Sequence, residues 1–213
     1  MSRLTIAALT LALLAAPVAS ATEYRLDPLS GSDTVHIESS ARLEFLDGET
    51  QAIVGQFIFD PNQPQSAATA VLSVDLRTLK TGIDKRDEHM RQNHLHTDEF
   101  PHCYFELTSL EGMPQVFAVD SSYHAEAVGL FYIHGVKRAI EARLSIAPLA
   151  ESGQPGSFRV RAEFEIRLDD FEIPRPRALF LKLAEVIEVT TVFTLHPGQL
   201  TTPIALPNWE LKP

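Results

Sequence analysis

A single cysteine and a single tryptophan are present among the 213 residues of the chain. The lone thiol, Cys103, excludes an intramolecular disulfide and any zinc or iron–sulfur site built from several cysteines. The neighbouring His102 would point to the opposite face of a strand, so these two side chains could not form a reactive pair. Cys103 is therefore predicted to be a small, buried residue.

Basic residues are also scarce, because 18 Lys and Arg stand against 28 Asp and Glu, for a formal net charge of −10. Binding to a nucleic-acid backbone depends on Lys and Arg that displace counterions, and docking on an anionic membrane surface needs the same side chains. The composition therefore argues against both partners. A hydrophobic fraction of 45% and a charged fraction of 22% are typical of a globular protein.

Motifs of catalysis and of nucleotide binding are absent from the sequence. No G-x-S-x-G turn is present to carry a nucleophilic serine, and neither G-x-G-x-x-G nor G-x-x-x-x-G-K-[ST] occurs. The sequence therefore predicts a protein that is not an enzyme and that needs no cofactor.

The one long uncharged run lies at the start of the chain, from Leu4 to Ala16. Arg3 precedes it, Pro17 ends it, and Ala19-Ser20-Ala21 follows as a small-residue cleavage site, which is the pattern of a secretory signal peptide. The run is shorter than the roughly 20 residues that a membrane-spanning helix needs. We therefore expect residues 1–21 to be removed on export and to leave no stable membrane anchor.

Strand-type alternation recurs throughout the rest of the chain. In Arg159–Leu168 every even position is apolar and every odd position is Arg or Glu, which predicts a strand with one buried and one solvated face. Turn signals such as Asp47-Gly48, Asp60-Pro61-Asn62 and His134-Gly135 separate similar runs. About eight strands can be counted, and this number suits a closed antiparallel barrel of the all-β class.

Two segments break the alternation. Residues 84–92 are rich in charge and in helix-forming residues, with acidic side chains near the start and Arg91 near the end, so a short helix is predicted there. Asp169–Leu183 contains prolines that forbid regular strand pairing, so it is predicted to be a long connection with room for one helical turn.

The predicted inner faces of the strands are rich in phenylalanine, of which the chain has 12 against one tryptophan. An eight-stranded barrel can be filled by its own side chains or can hold one small ligand, and the residues alone leave both alternatives open. If a ligand is held, the residues expected to bind it are Phe45, Phe57, Phe59, Leu72, Phe105, Phe131, Leu144 and Phe164.

Four of the eight histidines fall in one stretch, at His89, His94, His96 and His102. On a strand, His94 and His96 would point to the same side as two metal ligands, with His89 nearby. Solvated histidines at the rim of the barrel are the alternative, since no spacing here matches a metal motif of known mechanism. A metal-binding barrel that uses this cluster and a structural or stress protein with a filled barrel are therefore the competing hypotheses, and no metal ligand is assigned.

Two blocks of sequence, in a fixed order, resemble a known family. The first is Lys85-Arg86-Asp87-Glu88-His89, which is followed by Phe100-Pro101, and the second is Ile133-His134-Gly135-Val136. Together with Tyr24-Arg25-Leu26-Asp27-Pro28 and Gly55-Gln56-Phe57, they resemble the YceI-like family of exported lipid-binding proteins. The resemblance extends from Tyr24 to about Leu195.

The resemblance implies a lipocalin-like, eight-stranded antiparallel barrel with an apolar tunnel. It implies an exported, periplasmic carrier of an isoprenoid quinone, another polyisoprenoid or a fatty amide. Because members often pair as dimers, a homodimer is one expectation. The expected organisation is a signal peptide over residues 1–21, the barrel domain over residues 22–196 and an extended C-terminal tail over residues 197–213.

Overall fold

The structure, a computed structural model, describes residues 21–26, 33–41, 44–151, 154–175, 177–178, 181–182 and 185–211. The predicted signal peptide, residues 1–21, therefore lies outside the described residues except for its last position. None of the helices in the described part of the chain has the length and the apolar character needed to cross a lipid bilayer.

Strands dominate the described residues, together with one α-helix and two short 3₁₀ helices. The strands are β1 (Thr22–Leu26), β2 (Thr34–Ala41), β3 (Glu44–Thr50), β4 (Ile53–Phe59), β5 (Thr69–Asp75), β6 (His102–Glu111), β7 (Tyr123–Ile133), β8 (Val136–Glu151), β9 (Gln154–Arg167), β10 (Arg177–Ala178), β11 (Leu181–Lys182) and β12 (Val186–Pro197). The helix α1 is Asp84–Asn93, and the 3₁₀ helices are Leu76–Thr78 and Leu168–Phe171.

Eight of these strands close into a barrel, in the order β1, β4, β5, β6, β7, β8, β9 and β12, with β12 pairing back onto β1. Every pairing in this ring is antiparallel. The predicted eight-stranded antiparallel barrel is therefore confirmed. α1, the β7–β8 turn and Leu168–Phe171 lie at one end, which we call the helix end, and the paired residues Glu151 of β8 and Gln154 of β9 lie at the opposite end.

The side-chain alternation of β9 is as the sequence predicts. Phe164 faces the barrel interior, whereas Glu165 and Arg167 are exposed. Glu163 pairs on the outer face with Arg161 at 2.6 Å. Because the side-chain period of a strand is two, a shift of one residue in register would reverse all of these positions.

The structure adds strands to the predicted eight and corrects one predicted turn. Within the described residues there are twelve strands, because β2 and β3 form an additional hairpin on the first half of β12, and β10 and β11 form a separate short pair. The expected turn at Asp47-Gly48 instead lies inside β3, where Gly48 is opposite Ile37. The missing Cβ of Gly48 permits a close approach, since an added Cβ would stand 3.1 Å from the Ile37 side chain.

Helix α1 confirms the helix predicted over residues 84–92. It begins at Asp84, as expected, and ends at Asn93, one residue later than expected. Asp87 in its first turn is buried and accepts hydrogen bonds from both the backbone N–H and the hydroxyl of Thr81. A carboxylate at this position also interacts favourably with the helix dipole. The start of α1 is thereby held against the chain that leads into it.

The β7–β8 turn consists of two residues, His134 and Gly135, whose φ angles are +54° and +77°. Positive φ at both central positions is the type I′ geometry, which matches the twist of the flanking strands. The turn holds the His134 ring at the helix end. The neighbouring segment after β12, residues 198–211, has no further helix or strand, but Trp209 packs on the rings of Phe100 and Tyr132.

Candidate functional site

The barrel encloses a cavity of about 340 Å³. It runs from α1 at the helix end to Met113 and Phe117 at the opposite end. Its wall consists almost entirely of aliphatic and aromatic side chains from the inner faces of the strands. Sites for small molecules commonly span roughly 300–1,000 Å³ and are mostly apolar, so this cavity has the size and chemistry of a site for an apolar ligand.

Seven of the eight residues that the sequence predicts as ligand-binding line this cavity. They are Phe57, Phe59, Leu72, Phe105, Phe131, Leu144 and Phe164. The eighth, Phe45, belongs to β3 and stands opposite Ser40, but its side chain lies outside the described part of the structure. That these residues bind a ligand stays a prediction.

Several lining residues were missed by the sequence analysis. Phe158 and Phe193 follow the same period-two parity as their strands, so an extension of that pattern would have found them. Phe117 also lines the cavity but lies in the irregular connection between β6 and β7, where no periodic signal exists. Met90 and Leu95 come from α1 and the turn after it, and their contact with the interior depends on how the helix is docked.

The Phe105 ring owes its position to Gly129 on the neighbouring strand β7. A Cβ at Gly129 would stand 2.3 Å from Phe105 Cζ and 2.6 Å from the carbonyl oxygen of Glu106. Glycine is therefore needed here, because it leaves space in which the ring lies across the strand.

Four aromatic rings cluster at the opposite end of the barrel. Phe158 is 1% exposed, and its ring centroid lies 4.8 Å from that of Phe117, 5.3 Å from Phe59 and 5.5 Å from Tyr24. Two of the three contacts, those with Tyr24 and Phe59, are edge-on or near edge-on, a favoured arrangement for aromatic pairs. This cluster packs the end of the cavity farthest from α1.

The polar part of the cavity wall lies mainly at the helix end, where Arg86, His89 and His94 line it. The Arg86 guanidinium is oriented by Thr81, because its Nε donates to the Thr81 hydroxyl at 2.7 Å and its Nη2 to the Thr81 carbonyl at 2.7 Å. A cationic group thus borders an otherwise apolar space.

The histidines at the helix end form two pairs rather than one cluster. His94 Nε2 lies 3.2 Å from His89 Nδ1, and His96 Nδ1 lies 2.8 Å from His134 Nε2. Neither His94 nor His96 lies on a strand, because both follow the end of α1, so the expected two-residue strand spacing does not apply. No group of three or more His, Cys, Asp or Glu side chains in the described residues is arranged to hold a metal ion.

Cys103 confirms the prediction of a buried thiol and faces the cavity from β6. Burial raises the pKa of this thiol to about 12. Because the thiolate is the reactive form, we expect Cys103 in the folded protein to react with a disulfide reagent at least about 100-fold more slowly than an unfolded control at pH 8. Spectrophotometric titration of the thiol with and without denaturant measures this, and equal rates would contradict it.

The model of the YceI-like domain matches residues 24–195. The chain belongs to the YceI-like family. The matched range begins in β1 and ends near the end of β12. The YceI-like domain is therefore the barrel that encloses the cavity.

Several solved structures share this fold. BcnA from Burkholderia cenocepacia is 13% identical, with a TM-score of 0.63, and the match covers 79% of this chain and 98% of BcnA. A polyisoprenoid-binding domain from Saccharophagus degradans is 18% identical, with a TM-score of 0.62 and coverage of 82% and 98%. The Campylobacter jejuni YceI protein is 15% identical, with a TM-score of 0.60 and coverage of 75% and 90%. No curated protein matches the chain in sequence.

Proposed function

We propose that this YceI-like protein binds one long apolar molecule inside its barrel and carries it through an aqueous compartment. The observation that carries this proposal is the cavity of about 340 Å³ with its aliphatic and aromatic wall. The proposed ligand is an isoprenoid quinone, another polyisoprenoid or a fatty amide. The proposed activity is binding rather than catalysis, and it needs no cofactor.

The physical reason for such a carrier is the cost of exposing a long hydrocarbon chain to water. Each buried CH₂ group contributes about 0.8 kcal/mol, so a chain of ten such groups gains on the order of 8 kcal/mol on entering an apolar tunnel. Phenylalanine suits the wall because it covers a large area and loses little side-chain entropy when it is ordered. A net charge of −10 keeps the outer surface compatible with water and away from anionic lipid.

The related domain from Saccharophagus degradans supports the choice of ligand class, since it is described as binding a polyisoprenoid. We propose that the polar end of the ligand lies at the helix end of the cavity. Arg86 and His94 line the wall there, whereas the opposite end is occupied by aromatic rings. A quinone or amide oxygen could accept a hydrogen bond at the helix end while the chain fills the rest.

The proposed site of action is the periplasm. The basis is the amino-terminal pattern of Arg3, an uncharged run and a small-residue cleavage site, which predicts export and removal of residues 1–21. Amino-terminal sequencing of protein recovered outside the cytoplasm should begin at Thr22, and an intact Met1 there would contradict export by cleavage. A homodimer remains a prediction from the family resemblance.

The two competing hypotheses, a filled barrel and a metal-binding barrel, each require a feature that the described residues do not show. A filled barrel would leave no space inside, whereas the described residues enclose a cavity. A metal site at His89, His94 and His96 would need three converging ligands, whereas His96 bonds to His134 and His94 to His89. Both observations favour the binding of an apolar ligand.

Mass spectrometry of an organic extract of the native protein tests the proposed function. The protein is purified without an affinity tag, and half of the sample is passed through a hydrophobic resin before extraction. We expect the untreated half to contain about one prenyl or fatty molecule per protein chain. An unrelated periplasmic protein prepared in the same way should contain none. Protein that carries no apolar molecule and takes up none from phosphatidylcholine vesicles loaded with a quinone would overturn the proposal.

A further inference from the structure

One part of the cavity wall belongs to no strand of the barrel. β7 and β8 remain paired up to Ile133 and Val136, but the pairing of β8 with β9 begins only at Arg143 and Glu163. β8 and β9 therefore separate toward the helix end. Leu168–Pro174, which we call the wall segment, follows β9 there and packs against both strands.

The wall segment contributes directly to the cavity. Leu168, Ile173 and Pro174 line it, and Phe171 is 2% exposed with its ring set edge-on to Phe131 at 5.6 Å. A displacement of this segment would open the side of the cavity at the helix end without breaking any strand pairing of the barrel.

The wall segment is held by the burial of Leu168, Phe171 and Ile173 and by polar contacts with the elements around it. The Leu168 N–H donates to the Glu185 carbonyl at 3.0 Å, and Arg138 Nε donates to the Asp170 carbonyl at 2.6 Å. Two further contacts come from histidines. His94 Nδ1 lies 2.7 Å from the Pro174 carbonyl oxygen, and His134 Nδ1 lies 3.2 Å from that of Phe171.

The carbonyl contacts determine the protonation pattern of the two histidine pairs. A carbonyl oxygen only accepts, so Nδ1 of His94 and Nδ1 of His134 must carry hydrogen. In the neutral state their Nε2 atoms are then bare and accept from Nδ1–H of His89 and of His96. A pair keeps its hydrogen bond after one added proton only if that proton binds Nε2 of the outer histidine, which is His89 or His96; the inner histidines are His94 and His134.

A second added proton changes both pairs. It would place N–H against N–H at 3.2 Å in the His89–His94 pair and at 2.8 Å in the His96–His134 pair. It would also put a positive charge on the inner histidine of each pair, which is His94 or His134. His94 is buried. The charged inner ring gains solvation by moving outward, and this movement breaks its contact with the wall segment.

We propose that the two histidine pairs fasten the wall segment in the neutral state and release it when they take up further protons, so that ligand exchange through the side of the barrel becomes faster at acidic pH. This inference rests on the proposed function, because it concerns access to the same cavity. It assigns to His89, His94, His96 and His134 a role in access to the cavity.

The electrostatic surroundings support this direction of pH dependence. Burial lowers the pKa of His94, with smaller lowering contributions from His89 and His96 that the contact with the Pro174 carbonyl partly opposes. Burial likewise lowers the pKa of His134, against the raising effects of the Phe171 carbonyl, Glu172 and Glu99. Other charged side chains close to the wall segment are Arg86 of α1, Arg138 of β8, Asp169, Asp170, Arg175 and Glu185, which pairs with Arg175 at 3.1 Å.

The direction of the pH dependence follows from the lowered pKa values of His94 and His134. A histidine whose pKa is lowered in the closed state binds protons more weakly there than in the open state. Closing is therefore fully favoured above the ordinary histidine pKa of about 6.5. It weakens as the pH falls through that value toward the lowered pKa.

Stopped-flow release of a neutral dye tests the proposal. Full-length mature protein loaded with N-phenyl-1-naphthylamine is mixed with excess phosphatidylcholine vesicles, in the presence of a metal chelator, at several pH values between about 5 and 8. We expect the dissociation rate of the wild type to rise about tenfold toward the acidic end. The double variant His94→Asn and His134→Asn should vary by less than about twofold, because an amide near the Nδ1 position can still donate to the carbonyl but does not titrate.

The matched control is His124→Asn, which removes an exposed histidine from the far part of β7 and should retain the full pH dependence. If the double variant does not fold, either single variant is expected to lose about half of the change on a logarithmic scale. A rate that is independent of pH in the wild type, or equally dependent in the double variant, would overturn the proposal.

Hydrogen exchange provides a readout that needs no ligand. After correction for the intrinsic pH dependence of exchange, protection of the Leu168 and Ile173 amides should decrease in the wild type as the pH is lowered. In the double variant it should remain constant. Amides in the middle of β7 and β8 should keep their protection in both. Dye that fails to bind at every pH would count against the proposed function alone, and constant protection of the wall segment would then reject the histidine role separately.

Discussion

Phe131→Asp is expected to abolish the uptake of apolar ligands, with a loss in affinity of about 100-fold or more. Phe131 is 7% exposed, lines the cavity, and packs edge-on against the rings of Phe164 and Phe171 at 5.5 and 5.6 Å. A carboxylate placed there has no partner and loses its hydration, which costs several kcal/mol. Transfer of a fluorescent prenyl or fatty probe from vesicles measures the loss.

Two control variants separate an effect on binding from an effect on folding. Leu130→Asp introduces the same carboxylate one residue earlier, on the outer face of β7, and should retain uptake. Phe131→Leu keeps the position apolar and should bind within about tenfold of the wild type. Circular dichroism must show that Phe131→Asp is folded at the assay temperature, and normal uptake by that folded variant would contradict the location of the site.

Phe158→Ala is expected to lower the free energy of unfolding by about 3–5 kcal/mol. Phe158 is 1% exposed and lies among Tyr24, Phe59 and Phe117, so its removal leaves a void between rings on three separate parts of the chain. A loss of this size in a protein of this length corresponds to a fall in melting temperature of roughly 10 °C. Chemical and thermal unfolding followed by circular dichroism provide the measurement.

Val116→Ala is the matched control for that variant, because Val116 is 68% exposed and immediately precedes Phe117. Its free energy of unfolding should stay within about 0.5 kcal/mol of the wild type. A change below 1 kcal/mol for Phe158→Ala would show that the surrounding rings collapse into the space, and the aromatic cluster would then not be the main support of this end of the barrel.

The sequence predicted best those features that depend on neighbours along the chain. The alternation of Arg159–Leu168 placed Phe164 inside and Glu165 outside, as the structure confirms. The charge distribution of residues 84–92 placed α1 to within one residue. Strand parity is a local property, so it also selected seven lining residues of the cavity before their partners on other strands were known.

Features that depend on a particular partner were predicted poorly. Asp47-Gly48 has the composition of a turn, yet Gly48 lies within β3 because the backbone of Lys80 and the side chain of Ile37 approach it closely. His94 and His96 would form a metal pair only on a strand, whereas both follow the end of α1 and His96 contacts His134 of the β7–β8 turn. In both cases a tertiary contact overrides a local preference.

By itself the sequence determined the all-β class, the eight-stranded barrel, the short helix and the apolar parity of the inner faces, because strand alternation, strand number and the charge pattern of residues 84–92 are local properties of the chain. Tertiary structure alone decided that the barrel is hollow, since whether inner side chains fill the space depends on how strands from distant parts of the chain are spaced. It also decided that Phe158 meets Tyr24, and that His94 and His134, 40 residues apart in number, both contact Leu168–Pro174. These contacts join segments that are far apart along the chain, and no local pattern records them.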